Sequence, residues 1–351
     1  MKLPLRIRTE AGSVPVISVD GAFGAPGLNL SHWPGNTTPR ELRHDLSTGS
    51  ALLFAELPQV ERERYAAGCT EICNNHVDTD GIFAMFAVAS PELALRHKEQ
   101  LLKGAYAGDF FAPVDDKARV LDALVTACFD AEHSPWRSET TSLNENARHT
   151  FDVNQLVERL PAILDGELEQ YEPLWRPALA DWQADKRDLE NTALDDLTHL
   201  DYCVWTATNN TTSSRTHSKT EFFDPSRHAL FATRHADRVL VIGPRAGGTT
   251  YRFLISTLSW FDQIAHPCIP RPHLAPLAEC LNKLEGTGPD DGMAWRAHSD
   301  KGASPELWFG AKGLPNFPLH ASSHLALSQL DSQVVRTKIL AALRETWVFP
   351  E

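Results

Sequence analysis

Between "GCTEICNN" and "IFAMFAVA" the chain sets His76-Val77-Asp78-Thr79-Asp80-Gly81, and this junction limits the fold more than any other stretch. The first segment is short and carries Thr, Ile and Cys, which suits a buried strand, with Cys69 and Cys73 as small core residues on one face. The second places Ile82, Met85, Phe86 and Ala89 at helical spacing and predicts a buried helix. A polar string at the C-terminal end of a strand, just before a helix, is where open α/β sheets gather their ligands. The N-terminal part is therefore expected to be α/β.

In an extended segment residues two apart point the same way, so His76, Asp78 and Asp80 are expected to project together. Two carboxylates and an imidazole converge stably when a cation joins them. An Asp-rich set with one His suits a hard, octahedral ion such as Mn²⁺ or Mg²⁺ better than a structural Zn²⁺. Gly81 would permit tight passage into the helix, whose N-terminal dipole favours phosphate or carboxylate. The plainer reading is a strand-to-helix turn with Asp80 as N-cap and Asp78 solvated. That turn accounts for one Asp, but not for three ligand-type side chains together with Asn74 and Asn75; Asn75 is a candidate for substrate contact. An EF-hand is excluded, because apolar residues follow Gly81 where a calcium loop needs further oxygens and a closing Glu.

A chain of 351 residues suggests two domains, or one with large insertions. A formal net charge of -13 argues against a surface that grips long nucleic acid by phosphate neutralisation. It is compatible with an acidic site that recruits divalent cations and, through them, a small phosphorylated molecule. "MKLPLRIRTEAG" has no apolar core of a signal peptide, and the longest apolar stretches fall far short of a membrane span. The six Cys show no paired CxxC spacing, so neither a disulfide framework nor a structural zinc site is indicated. The expected setting is a reducing cytoplasm, away from membranes; oligomeric state is not legible.

Residues 1–22 read as β, from "LPLRIRT" and "VPVISVDG" with a turn at Ala11-Gly12, and "FGAPGLNLSHWPGNTTP" reads as loop. Thr38-Pro39-Arg40-Glu41 is a helix start, with the helix expected to run to about Glu56. From Asp115 to about Trp205 the pattern is mostly helical. Thr206 to Ser226 is the most polar stretch, a loop, linker or lid. Beyond it "DRVLVIGPRAGGTTYRFLIS" and "MAWRAHSDKGASPELWFG" look like two hairpins, with helices at "HLAPLAECLNKLEG" and "SQLDSQVVRTKILAALRE". The expected architecture is α/β: a strand–helix sheet domain over 1–205 with a helical insertion at about 115–205, a polar linker at 206–230, and an α+β domain with β-hairpins over 231–351.

Two further clusters carry candidate chemistry. In "SHWPGNTTP" and "RHDLSTG", His32 is a candidate general acid or ligand, Asn36 a substrate contact and Arg43 a phosphate clamp. The alternative is a tight surface turn followed by a solvated helix face at His44 and Asp45. In "GPRAGGTTYR" a Gly-rich turn offers N–H groups to an anion, with Arg245 and Arg252 adding charge. No Lys-Ser/Thr follows in P-loop spacing, so a plain hairpin turn is the stronger reading there. No G-x-S-x-G elbow is present.

The His76-x-Asp78-x-Asp80-Gly81 string resembles the first motif of the DHH phosphoesterase superfamily, with His76 in place of that motif's first Asp. The resemblance implies manganese ligation by Asp78 and Asp80 with His76 as a third ligand or neighbour, and Asp109, in "AGDF", as the best local substitute for the second-motif Asp. The chain contains no Asp-His-His triplet and no Gly-Gly-Gly-His signature. Over its full length it is more similar to an uncharacterised bacterial protein family, through "LSHWPGNTTP", "NNHVDTDG", "VLVIGPRAGGTTYRFLISTLSWFD" and "ASPELWFG". The expected function is a metal-dependent phosphoesterase acting on a small phosphorylated substrate through metal-activated water. The alternative is a non-catalytic metal- or ligand-binding protein, with the motif as ligand site or structural turn.

Overall fold

The computed structural model describes residues 3–10, 12–21, 24–208, 213–217, 221–234, 236–312 and 324–346. The chain divides into two compact units, Met1–Leu179 with Phe261–His266, and Ala180–Trp260 with Pro267–Glu351. Each contains a sheet and helices, so the fold is α/β, as its sequence implies.

The first unit is built on four short strands, β1 (Leu5–Ile7), β2 (Val16–Val19), β3 (Gly27–Leu30) and β4 (Ile72–Asn74), all parallel in the order β1-β4-β2-β3. Val16-Ile17-Ser18-Val19 and Ile72-Cys73-Asn74 are buried throughout, the signature of parallel strands covered on both faces. The helices are α1 (Ser47–Glu56), α2 (Gln59–Tyr65), α3 (Thr79–Ala89), α4 (Pro91–Arg96), α5 (Lys98–Asp109), α6 (Asp116–Phe129), α7 (Arg137–Thr140), α8 (Glu145–Asp165) and the start of α9 (Glu172–Glu190), whose residues from Ala180 belong to the second unit. Every residue of α3 from Thr79 to Val88 is buried, so this helix is core on all sides, and it packs against α1 and α5.

Three expectations change here. The stretch read as loop after residue 22 contains β3, because "LNL" is too short to register against its Gly, Pro and Asn neighbours. The single helix expected from Thr38 to Glu56 is a 3-10 turn at Arg40–Leu42 followed, after a break, by α1. In that break His44 Nδ1 accepts the Leu46 N–H at 3.1 Å, and the Thr38 hydroxyl donates to the Ser31 carbonyl instead of capping a helix. The helical pattern expected to about Trp205 ends at Glu190, and "TALDDL" and "YCVWTA" form strands.

These are β5 (Thr192–Leu197) and β6 (Tyr202–Ala207), which join β7 (Arg238–Arg245), β8 (Gly248–Ile255), β9 (Ala294–Ala297) and β10 (Glu306–Gly310) in the order β5-β6-β7-β8-β10-β9. Within this sheet, among the described residues, only β6 and β7 pair in parallel. Both expected hairpins form: β7–β8 turns with Gly247 at φ +93°, and β9 pairs antiparallel with β10. Besides α10 (Arg227–Thr233), this unit has α11 (Leu274–Glu285) and α12 (Ser332–Thr346). Leu277 and Leu281 of α11 and Val335, Ile339 and Leu343 of α12 bury against Tyr202, Tyr251 and Phe253 of the sheet. Of the polar stretch from Thr206 to Ser226, residues 209–212 and 218–220 lie outside the described residues; Arg215 within it grips Asp185 with two hydrogen bonds of 2.6 and 2.7 Å. No helix among the described residues is long and apolar enough to cross a membrane.

Candidate metal centre

Three strands of the parallel sheet end in ligand-type residues. β2 runs into Asp20, β3 into Ser31 and His32, and β4 into Asn75 and His76. Asp78 and Asp80 lie at the start of α3, and Asp109 is the last residue of α5. Asp20, His32, Asp80 and Asp109 each bring one ligand atom to within 4.8 Å of the others, and all four are buried. Asp20, His76 and Asp78 form a second such group. Asp20 belongs to both: its Oδ1 lies 3.7 Å from His32 Nε2, and its Oδ2 lies 2.9 Å from His76 Nε2.

The alternation expected to send His76, Asp78 and Asp80 one way does not hold, because the extended backbone stops at Asp78. That residue, not Asp80, is the N-cap of α3: its Oδ1 accepts the Gly81 N–H at 2.8 Å. Asp80 is already helical, so its side chain turns away from Asp78 and into the first group. There the N-terminus of α1 holds it, with the Ser47 and Thr48 N–H groups donating to its two carboxylate oxygens at 2.7 and 2.8 Å. The Ser47 hydroxyl donates to Asp20 Oδ1 at 2.8 Å.

Space explains two glycines. A Cβ on Gly81 would come within 2.1 Å of Asn74 Nδ2 and 2.9 Å of Asp20 Oδ2. One on Gly21 would lie 2.5 Å from Asn75 Oδ1. Asp20 itself sits at φ +60°, a conformation Asp tolerates better than most residues.

Each histidine is fixed through Nδ1. His32 Nδ1–H donates to the Asp45 carbonyl at 2.6 Å, which leaves Nε2 as the lone-pair nitrogen, 2.9 Å from Asp109 Oδ2 and 3.6 Å from Asp80 Oδ2. His76 Nδ1–H donates to Asn75 Oδ1 at 2.7 Å, and its Nε2 is 2.8 Å from Asp78 Oδ2. Trp33 lies beside the His76 ring at 4.7 Å, and Phe261 stacks on His32 at 3.8 Å.

The electrostatics are those of carboxylates short of positive charge. Burial, reinforced by the charge of Asp78, pushes Asp20 up to about 7. Burial and then the charges of Asp80, Asp78 and Asp20 hold Asp109 well above the usual carboxylate range. Burial lowers His32. Burial would lower His76 too, but the neighbouring Asp78 and Asp20 outweigh it and hold its imidazole well above the ordinary value. For Asp78 burial is likewise overcome, here by the His76 charge and hydrogen bond, which bring it to about 2. Carboxylates crowded this way either take up protons or share a cation.

The donor set fits a cation. His32 Nε2 is buried and makes no hydrogen bond, so its lone pair is left facing the shared locus, while Asp20 Oδ2, equally buried, has only His76 Nε2, at 2.9 Å, beside it as an ion-pair partner. The two groups also differ in access. The side chains of His32, Asp20, Asp80 and Asp109 are sealed, whereas His76 and Asp78 are 27% and 34% exposed.

Of the other sequence candidates, Asn36 donates its amide to the Trp33 carbonyl and to Asp262 Oδ2, and Arg43 forms an exposed pair with Asp262 at 3.7 Å. Arg245 and Arg252 lie in the second unit. Arg245 donates to the Glu221 carbonyl, and Arg252 is buried between Asp224 and Glu306. Asp20 escaped sequence reasoning, although "VISVDG" repeats the strand-then-Asp-Gly arrangement of the main motif. Asp45, expected on a solvated helix face in the alternative reading, lies in the break before α1 and holds His32 through its carbonyl. Phe261 escaped sequence reasoning because it acts through a neighbour, with no motif of its own.

No curated protein matches the sequence. Residues 4–351 match a family described as a family of unknown function, DUF6687, and the chain belongs to that family.

Proposed function

We propose that the protein is a metal-dependent hydrolase of DHH-like type, holding Mn²⁺ or Mg²⁺ and acting on a small phosphorylated molecule. The observation that carries this reading is the convergence of Asp20, Asp78, Asp80, Asp109, His32 and His76 on one locus, with Asp20 common to both groups. An oxygen-rich set with two imidazoles suits a hard divalent ion. Asp20, His32, Asp80 and Asp109 would hold one ion, and Asp20, His76 and Asp78 a second beside it. When bound, such ions lower the pKa of a coordinated water and neutralise phosphoryl oxygens.

The protein's own part is orientation and access. The α1 N-terminus fixes Asp80, the Asp45 carbonyl fixes His32, and Asn75 fixes His76. His76 and Asp78, being partly exposed, are the residues a substrate phosphate would meet. A chain of net charge -13 favours a small phosphorylated molecule in the cytoplasm over long nucleic acid.

A second reading, non-catalytic metal binding, is favoured by the complete enclosure of the His32 group. The two separate on bis-p-nitrophenyl phosphate with Mn²⁺. The hydrolase reading expects turnover that Asp78→Asn abolishes; cation binding without turnover on this and small phosphomonoesters would leave only the second.

A further inference from the structure

We infer that Phe261, more than 200 positions downstream of His32, is the positioning residue of that imidazole, and that Asp45 ties the segment carrying it to the same ring. This inference rests on the reading of the cluster as a metal centre.

Phe261–His266 belongs to the first unit. The Phe261 ring lies 3.8 Å from the His32 ring, tilted by only 15°, while Phe110 meets that imidazole edge-on at 6.3 Å. The segment is bound to the same place by its backbone. The Asp262 N–H donates to the His32 carbonyl at 2.7 Å, and Asp45 Oδ1 accepts the N–H groups of Ile264 and Ala265, the latter at 3.1 Å. Asp45 therefore holds the segment with its carboxylate and the His32 Nδ1–H with its carbonyl.

The reason for two restraints is geometric. The second side-chain torsion of histidine is broad. One hydrogen bond at Nδ1 fixes a point on the ring but leaves it free to pivot about the N–H···O line, swinging Nε2 away from Asp80 and Asp109. A flat ring stacked on the imidazole removes that pivot. Shape alone does not, so an aliphatic side chain of similar size would fill the space without setting the plane.

The test is Co²⁺ binding, read by its visible absorption and affinity, with far-UV circular dichroism and melting temperature recorded alongside. Phe261→Leu is expected to weaken Co²⁺ binding by about 10–100-fold, the range for residues that orient a ligand from behind, and to alter the band shape. Phe261→Tyr, which keeps the flat face, is expected to restore both. Asp45→Ala loosens the segment from its other end without touching the imidazole and should weaken binding in the same direction. An unchanged band and affinity in Phe261→Leu, with only the melting temperature lowered, would overturn the positioning role while leaving the metal centre standing. A parent protein that develops no Co²⁺ band would overturn both.

Discussion

Each unit buries a cluster of charges, and the two clusters are composed differently. In the second unit Glu306 is pinned by Arg227 and Arg252, Arg252 also meets Asp224 at 2.7 Å, and Arg215 clasps Asp185. Carboxylates and guanidiniums are present there in equal number. Burial alone would raise Glu306, yet Arg252 and Arg227 hold it at about 2. In the first unit four aspartates share one locus with two histidines, and neither Asp20 nor Asp80 forms an ion pair with lysine or arginine among the described residues. Proteins do not leave such a deficit buried without a compensating proton or cation. The balanced cluster is architecture; the unbalanced one is built to receive charge.

Removing one carboxylate from each cluster should therefore have opposite effects. Glu306→Leu takes from buried Arg227 its carboxylate partner and leaves buried Arg252 with Asp224 alone, and is expected to cost about 3–5 kcal/mol in urea unfolding. Asp20→Asn, measured in the presence of chelator, relieves repulsion and is expected to leave stability unchanged or raise it by about 1 kcal/mol. Equal losses from the two substitutions would erase the distinction.

Asp152 gives a smaller, pH-dependent version of the same contrast. It is buried in α8, its oxygens make no hydrogen bond, and its nearest cation, Arg148, is 3.7 Å away. Burial pushes it up to about 6 from an ordinary value of 3.8. Because the folded value is the higher one, its favourable contribution is complete below about pH 4 and is lost as pH rises through 6. Asp152→Asn should accordingly raise the melting temperature by a few degrees at pH 8 and leave it nearly unchanged at pH 4. Glu306 has the opposite sign, since its folded value lies below 4.5; its contribution is full at neutral pH and is lost as pH falls toward 2. A melting profile in which Asp152→Asn gains nothing at pH 8 would mean that Arg148 neutralises Asp152 after all.

Much of this was legible in the residues and some could not be. The strand-to-helix passage at Ile72–Ala89 was visible because its apolar spacing changes period on either side of the polar string. Asp80 was legible as a ligand-type residue but not in its direction, since one residue of helix at Thr79 suffices to send it into a different group from Asp78. His32 carried a local signal in its odd neighbours, whereas its contact with Asp20 depends on the side-by-side pairing of β2 and β3. Phe261 is separated from His32 by most of the chain, and no local pattern records a contact of that range. The strands at Thr192–Leu197 and Tyr202–Ala207 were masked by the long helix before them.

Mn²⁺ titration, by calorimetry and thermal melting on the full chain and on Asp20→Asn, shows whether a divalent cation completes the aspartate–histidine locus. The parent is expected to bind Mn²⁺ saturably and to gain a stabilisation approaching roughly 4 kcal/mol at a thousandfold excess over Kd. Asp20→Asn is expected to lose both, because Asp20 is common to the two groups. A parent protein that shows neither binding heat nor a melting shift with Mn²⁺ or Mg²⁺ would contradict a cation at this locus.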